Sequence, residues 1–275
     1  MPLTLKQLTA LADRLVEVPG IVGVMLGGSR ARDDFAPDSD YDLGLYYQPP
    51  LEIAELGRLA AEVSGPDARV TEPGAWGPWV DGGGWLSIDG VATDWIYRDV
   101  DRVRVSWRDA QLGRYAFHQQ VGHPLGVPDF AYAGEVALGI VLADPTGELT
   151  DLQRSCRDYP DALRRALIDG LGEAEFLLIV AGKAVARRDT AYVVGCLFRI
   201  VGLCAHALHG NTKRWLINEK GAVDAAGRLP EAPPDFTRRA HELLGSAGWT
   251  ADSLAAAVDA AKRLLEDVSR SCGRR

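Results

Sequence analysis

An apolar run, Ile21–Leu26, ends in Gly27-Gly28-Ser29. A second, Tyr41–Tyr47, carries Asp42 near its start and follows directly on Asp40. Nothing else in the chain restricts the fold as tightly. Short apolar runs bounded by turn residues read as buried strands, and a period of two puts Asp40 and Asp42 on one face. Two neighbouring carboxylates repel, so the pair calls for a cation. The glycines of the preceding turn let a ligand approach the backbone, N–H groups at a turn into a helix favour phosphate, and Ser29 adds a hydroxyl donor. The plainer alternative is a turn at Asp38, Ser39 and Asp40 with Asp42 facing water. The Gly-Gly-Ser turn on the preceding strand favours a shared site instead.

Around this segment the first half alternates elements. Leu3–Val18 has helical periodicity and stops at Pro19-Gly20, and Leu51–Val63 is a second helix. Gly74–Gly84 is irregular. Trp85–Ile88 and Val91–Arg98 flank Asp89-Gly90, a two-residue loop that predicts a hairpin, whereas Tyr132–Leu142 suits helix or strand. From about Tyr159 the texture changes. Asp161–Arg187, Thr190–His209, Lys213–Ala226, Asp235–Leu244 and Asp252–Ser271 read as five helices with short connections, which implies a bundle. Turn chemistry at Asp144-Pro145-Thr146-Gly147 puts the boundary within Ala143–Tyr159. The expected class is α/β (α+β): a mixed sheet with helices over residues 1–150, then an α-helical bundle over 151–275.

Composition narrows the function. With 47% hydrophobic and 25% charged residues among 275, the chain is no disordered polymer. No uninterrupted apolar run approaches the ~20 residues of a membrane span, and the amphipathic start lacks the marks of a signal peptide. Cys156, Cys196, Cys204 and Cys272 show no metal-ligand spacing. Reduced thiols and a cytoplasmic protein are expected, with no membrane partner. Residues 1–150 hold 11 Lys and Arg against 22 Asp and Glu, and residues 151–275 hold 19 against 16, so a net −11 and +3 compose the total of −8. An acidic first half disfavours nucleic acid, which needs clustered cations, and suits metal ions and cationic small molecules.

The segment resembles the core signature of the DNA-polymerase-β-like nucleotidyltransferases. Gly28-Ser29 stands for the Gly-Ser turn, Asp40-x-Asp42 for the paired acids, and Asp94 on the Val91–Arg98 strand for the third carboxylate. The resemblance implies a twisted mixed sheet with helices on one side, and two Mg²⁺ ions held with ATP by Asp40, Asp42 and Asp94. Nucleotidyl transfer to an acceptor hydroxyl would follow, with Asp94 as third ligand or general base. Gly28, Ser29 and Arg30 would bind the nucleotide. Here Arg30-Ala31-Arg32 runs into Asp33-Asp34, where relatives commonly have glycine after the arginine.

In the second half, Arg187–Tyr192, Cys196–Ile200 and Asn218–Ala222 look like the helical domain of streptomycin/spectinomycin-type aminoglycoside adenylyltransferases. That resemblance implies Asp189 as an acceptor contact and Arg199 and Lys220 as phosphate contacts. It also points to antibiotic modification, and to a catalytic carboxylate at Asp94 where the family usually has glutamate. Glu135 is a further acceptor-facing candidate. The residues also allow plainer roles: Asp189 as an N-cap, Lys220 as a solvated lysine and Glu135 as a surface acid; Trp76, Trp79 and Trp85 suit either a stack on a ligand or, the safer reading, aromatic packing under a loop. His118 and His123 receive no role. The expected reaction moves AMP from ATP to a hydroxylated, cationic small molecule. The alternatives are a tRNA or protein acceptor, or an idle nucleotide-binding regulator.

Overall fold

The computed structural model describes residues 2–32 and 39–274; Asp33, Asp34 and Asp38 lie outside the described residues. The chain divides into two compact units, residues 1–109 with 118–158, and residues 110–117 with 159–275.

The first unit opens with α1 (Leu5–Leu15), started by a capping box in which Thr4 Oγ1 accepts from the Gln7 amide and Gln7 Oε1 accepts from the Thr4 amide. Then follow β1 (Ile21–Leu26), a 3-10 turn (Arg30–Arg32), β2 (Tyr41–Tyr47), α2 (Ile53–Ser64), β3 (Gly83–Ile88), β4 (Val91–Asp99) and α3 (Val100–Gln111). The hairpin β5 (Phe117–Gln120) and β6 (His123–Pro128), α4 (Ala131–Leu138), β7 (Ile140–Ala143) and α5 (Glu148–Cys156) complete the first half of the chain. Five strands form one mixed sheet in the order β3-β4-β2-β1-β7. Among the described residues of this sheet, β2 and β4 pair in parallel and the other neighbours antiparallel. Alternation sorts the strand residues by face. Leu43, Leu45, Leu86, Trp95 and Tyr97 enter a core with Leu8, Leu15 and Leu56, while Asp42, Trp85 and Asp94 stand on the other face.

The strands β1 and β2 coincide with the two apolar runs, and Asp89-Gly90 closes the expected hairpin with both residues left-handed (φ 53° and 76°). Tyr132–Leu142 resolves into both of its options, because Gly139 ends α4 and β7 begins at once. α3 was not anticipated. Its polar sequence hides the helix, whose start is capped by Asp99 Oδ1 accepting from the Asp101 and Arg102 amides at 2.9 and 3.2 Å.

The second unit is helical: α6 (Asp161–Asp169), α7 (Leu171–Val185), α8 (Thr190–Asn211), α9 (Ala222–Gly227), α10 (Phe236–Gly245) and α11 (Ala251–Ser271). The single helix expected over Asp161–Arg187 is two. The break falls at Gly170, where a Cβ would come within 2.5 Å of the Tyr115 hydroxyl. The helix expected over Lys213–Ala226 is confined to α9. Left-handed Lys213 (φ 54°) and Gly221 (φ 70°) interrupt it, and the Asn218 side chain captures the Lys220 amide. α8 has the length and average apolarity of a membrane span, although Arg199, His206 and His209 punctuate its apolar run. It is the core helix of this unit, with Val193, Leu197, Ile200, Cys204 and Leu208 buried among α7, α10 and α11. All four cysteines are buried, and none of them is in a disulfide.

One buried ion pair braces the first unit. Arg98 on β4 is 7% exposed and donates through Nε and Nη2 to Glu135 of α4 at 2.5 and 2.8 Å. Burial works against its charge, but the Glu135 carboxylate and its hydrogen bonds outweigh that cost and raise the guanidinium pKa above its ordinary value. Glu135→Gln should destabilise the protein by about 3 kcal/mol, because it strands a buried cation. Adding Arg98→Met should restore a large part of the loss in urea unfolding.

Candidate active site

The site is a row across three strands. The parallel register sets Asp42 of β2 beside Asp94 of β4, and the antiparallel register sets Asp94 beside Trp85 of β3. Directly paired residues share a sheet face, so the two carboxylates and the indole line one side. Asp40 precedes the first paired residue of β2 and is exposed.

On the other flank of Asp42 lies the glycine turn. The Gly27 amide donates to the Asp42 carbonyl at 2.8 Å, which ties the end of β1 to the start of β2. Gly28 is left-handed (φ 63°), and a Cβ there would fall 1.7 Å from Asp42 Oδ2. Only glycine lets the turn sit against that carboxylate. Ser29 is half-buried at the head of the 3-10 turn. Arg30 spans back to the second strand. Its Nε donates to the Ser39 carbonyl at 2.8 Å, and its guanidinium lies 4.0 Å from the centre of the Tyr41 ring.

Electrostatics single out Asp94. Burial, then the charges of Asp42 and Asp40, push its carboxyl up to about 6. A carboxylate held there is mostly ionised at neutral pH, yet basic enough to accept a proton. The expected metal set of Asp40, Asp42 and Asp94 is not gathered: among the described residues no group of three or more His, Cys, Asp or Glu is disposed to hold a metal ion. Asp40 lies just before the first paired residue of β2, exposed, with its charge still acting on Asp94. The pair that remains still fits a hard divalent cation, since Mg²⁺ takes one or two carboxylates and draws its other oxygens from phosphates and water.

Of the other candidates, Glu135 lies in the same unit as this row. Glu135 is held by Arg98, four residues along β4 from Asp94, or about 13 Å at the rise of a strand. Its carboxylate serves the ion pair. In the helical unit, Asp189 Oδ1 caps α8 by accepting from the Tyr192 amide at 3.1 Å. Arg199 donates from Nε to Glu173 of α7 at 2.8 Å and lies over the Phe117 ring. Lys220 is exposed. Of the aromatic residues, Trp79 stacks on His118 (3.9 Å) and bonds through its carbonyl to the Tyr132 hydroxyl, as loop packing would have it. Trp85 differs, and sequence reasoning missed its place beside Asp94. The signal was present in the two-residue loop, which sets Ile88 opposite Val91 and therefore Trp85 opposite Asp94.

Because its folded pKa is raised, Asp94 binds more protons in the folded than in the unfolded state between about pH 4 and 6. It therefore lowers stability as pH rises through that window. Asp94→Asn should raise the Tm of the metal-free protein at pH 7.5 by a few degrees and leave it near the wild-type value at about pH 3, where the carboxyl is mostly protonated in both the folded and the unfolded state. Thermal melts at the two pH values check this.

The nucleotidyltransferase-domain family model matches residues 7–72, the stretch that holds Gly28, Ser29, Asp40 and Asp42. No curated protein matches the chain. Among solved structures, a nucleotidyltransferase-like protein from Exiguobacterium sibiricum is similar over 98% of this chain and 77% of its own, with 13% identity and a TM-score of 0.47. The match is confined to this segment and supports a transferase that acts by nucleotidyl transfer.

Proposed function

We propose that the protein transfers AMP from ATP, with Mg²⁺, to a hydroxyl of a small cationic molecule of aminoglycoside type, releasing pyrophosphate. One observation carries this reading: the glycine turn, Asp42 and Asp94 stand side by side on one sheet face, inside or next to the segment matched as a nucleotidyltransferase domain. The net −11 of residues 1–150 supports a cationic acceptor over a nucleic acid.

Asp42 and Asp94, with Asp40 at the approach, are the residues that would hold the metal. When bound it supplies charge neutralisation for the triphosphate and for the oxygens entering and leaving phosphorus. Gly28 and Ser29 would present their backbone N–H groups, and Ser29 its hydroxyl, to the phosphates. The acceptor oxygen attacks the α-phosphorus, the bond to pyrophosphate breaks, and Asp94 takes the hydroxyl proton. The same proposal includes the contacts that the resemblance implies for Ser29, Arg30, Asp189, Arg199 and Lys220. For Arg199 it requires that the pair with Glu173 be exchanged for phosphate.

Incubating the protein with ATP, Mg²⁺ and a panel of hydroxylated amines, with products read by mass, tests the reading: an adenylylated amine is expected, and no nucleotidyl product from any triphosphate overturns it. Asp42→Asn should lower transfer by at least ~100-fold while leaving the thermal midpoint unchanged or slightly raised. Gly28→Ala should have a comparable effect on transfer, because the added methyl displaces Asp42 Oδ2, at a stability cost of about 1 kcal/mol for the left-handed backbone.

A further inference from the structure

Trp85 is 73% exposed on β3, at the edge of the sheet, in register with Asp94. Its ring is not loose. It stacks on Trp76 with centroids 4.5 Å apart and planes 16° from parallel. Trp76 in turn is seated by the loop before β3: its amide donates to the Asp81 carbonyl at 3.1 Å. Gly83, two residues before Trp85, makes room, since a Cβ there would lie 3.1 Å from Trp76 Cζ3. The loop itself is pinned by the buried Asp81 side chain, which accepts from the Tyr47 hydroxyl of β2 at 2.8 Å and from the Gly74 amide at 3.0 Å. The result is a rigid aromatic surface facing water beside Asp94, with small, exposed Ser87 and Ala92 continuing the same face.

We infer that the Trp76–Trp85 stack is the acceptor platform of the transferase and selects a cationic, ring-bearing hydroxylated amine; this rests on the nucleotidyl-transfer reading. The order along the face is glycine turn, Asp42, Asp94, Trp85, with Trp85 two strand spacings, about 10 Å, from Asp42. In phosphoryl transfer the entering and leaving oxygens lie roughly in line on opposite sides of phosphorus. With the phosphates at the glycine turn, the acceptor belongs on the opposite flank of the carboxylates, where Trp85 stands. The charge of that flank selects the ligand. An indole face attracts cations through its quadrupole, and Asp94, Asp42 and Asp40 add negative charge beside it, so an ammonium- or guanidinium-bearing ring gains from both where an anion would be repelled.

The test titrates the full chain, in Mg²⁺ with a non-hydrolysable ATP analogue, against streptomycin, spectinomycin and neutral sucrose, reading tryptophan fluorescence and calorimetry. Saturable quenching is expected from the two amines and none from sucrose. Trp85→Ala should weaken amine binding by about tenfold, Trp85→Phe by no more than about threefold, and neither should change the thermal midpoint or the affinity for the ATP analogue. Equal amine affinity in wild type and Trp85→Ala, or no saturable binding of either amine, overturns the platform. If Trp85→Ala weakens the ATP analogue and spares the amines, the stack holds the nucleobase and the inference falls. Binding of the ATP analogue to the wild type reports on nucleotide use separately, so the two readings fail independently.

Discussion

The first unit is organised around the repulsion between two carboxylates that the sheet forces into neighbouring positions. Asp42 and Asp94 are in register on parallel strands, and burial together with like charge lifts Asp94 to about 6. A sheet gains nothing in stability from such a pair. The surroundings keep it nevertheless. Gly28 is left without a side chain so that the turn can reach Asp42, and the Gly27 amide is spent on the Asp42 carbonyl. A cation bound between the two carboxylates would relieve that repulsion.

The same sheet face shows the opposite solution a few residues along. Arg98 lies on the same face of β4 as Asp94, and there the charge is fully answered by Glu135. One end of the strand is therefore a satisfied, buried ion pair and the other an unsatisfied acidic pair. The first holds α4 to the sheet so that the second can be placed accurately, since a site built on a braced strand keeps its geometry better than one built on loops. Glu135, read from sequence as a possible acceptor contact, belongs to the bracing.

The helical unit follows a different logic. α8 is apolar along most of its length because it is surrounded by other helices, and its polar residues are each accommodated locally. Asp189 caps its start and Arg199 pairs with Glu173, while burial, followed by the charges of His209 and Arg199, depresses His206 to about 3 and keeps it neutral.

Local chemistry was enough to locate much of this. The strands Ile21–Leu26 and Tyr41–Tyr47, the hairpin loop at Asp89-Gly90, and the cap at Asp189 all rest on contacts within a few residues, and such contacts are written in consecutive letters. Even the position of Trp85 opposite Asp94 was implicit in the loop length. The helix break at Gly170 and the irregular run after Lys213 were not legible, because they answer to Tyr115, far away in the chain, and to backbone angles that no periodicity records. Least legible was the pairing of β2 with β4. A parallel pair has no tight turn to set its register; α2 and β3 intervene, and the alignment that brings Asp42 to Asp94 is chosen by the burial of Leu43, Leu45, Trp95 and Tyr97 on the opposite face. The sequence by itself supplied the carboxylates and the strands that bear them; only the packing of the core decided that the acids would meet.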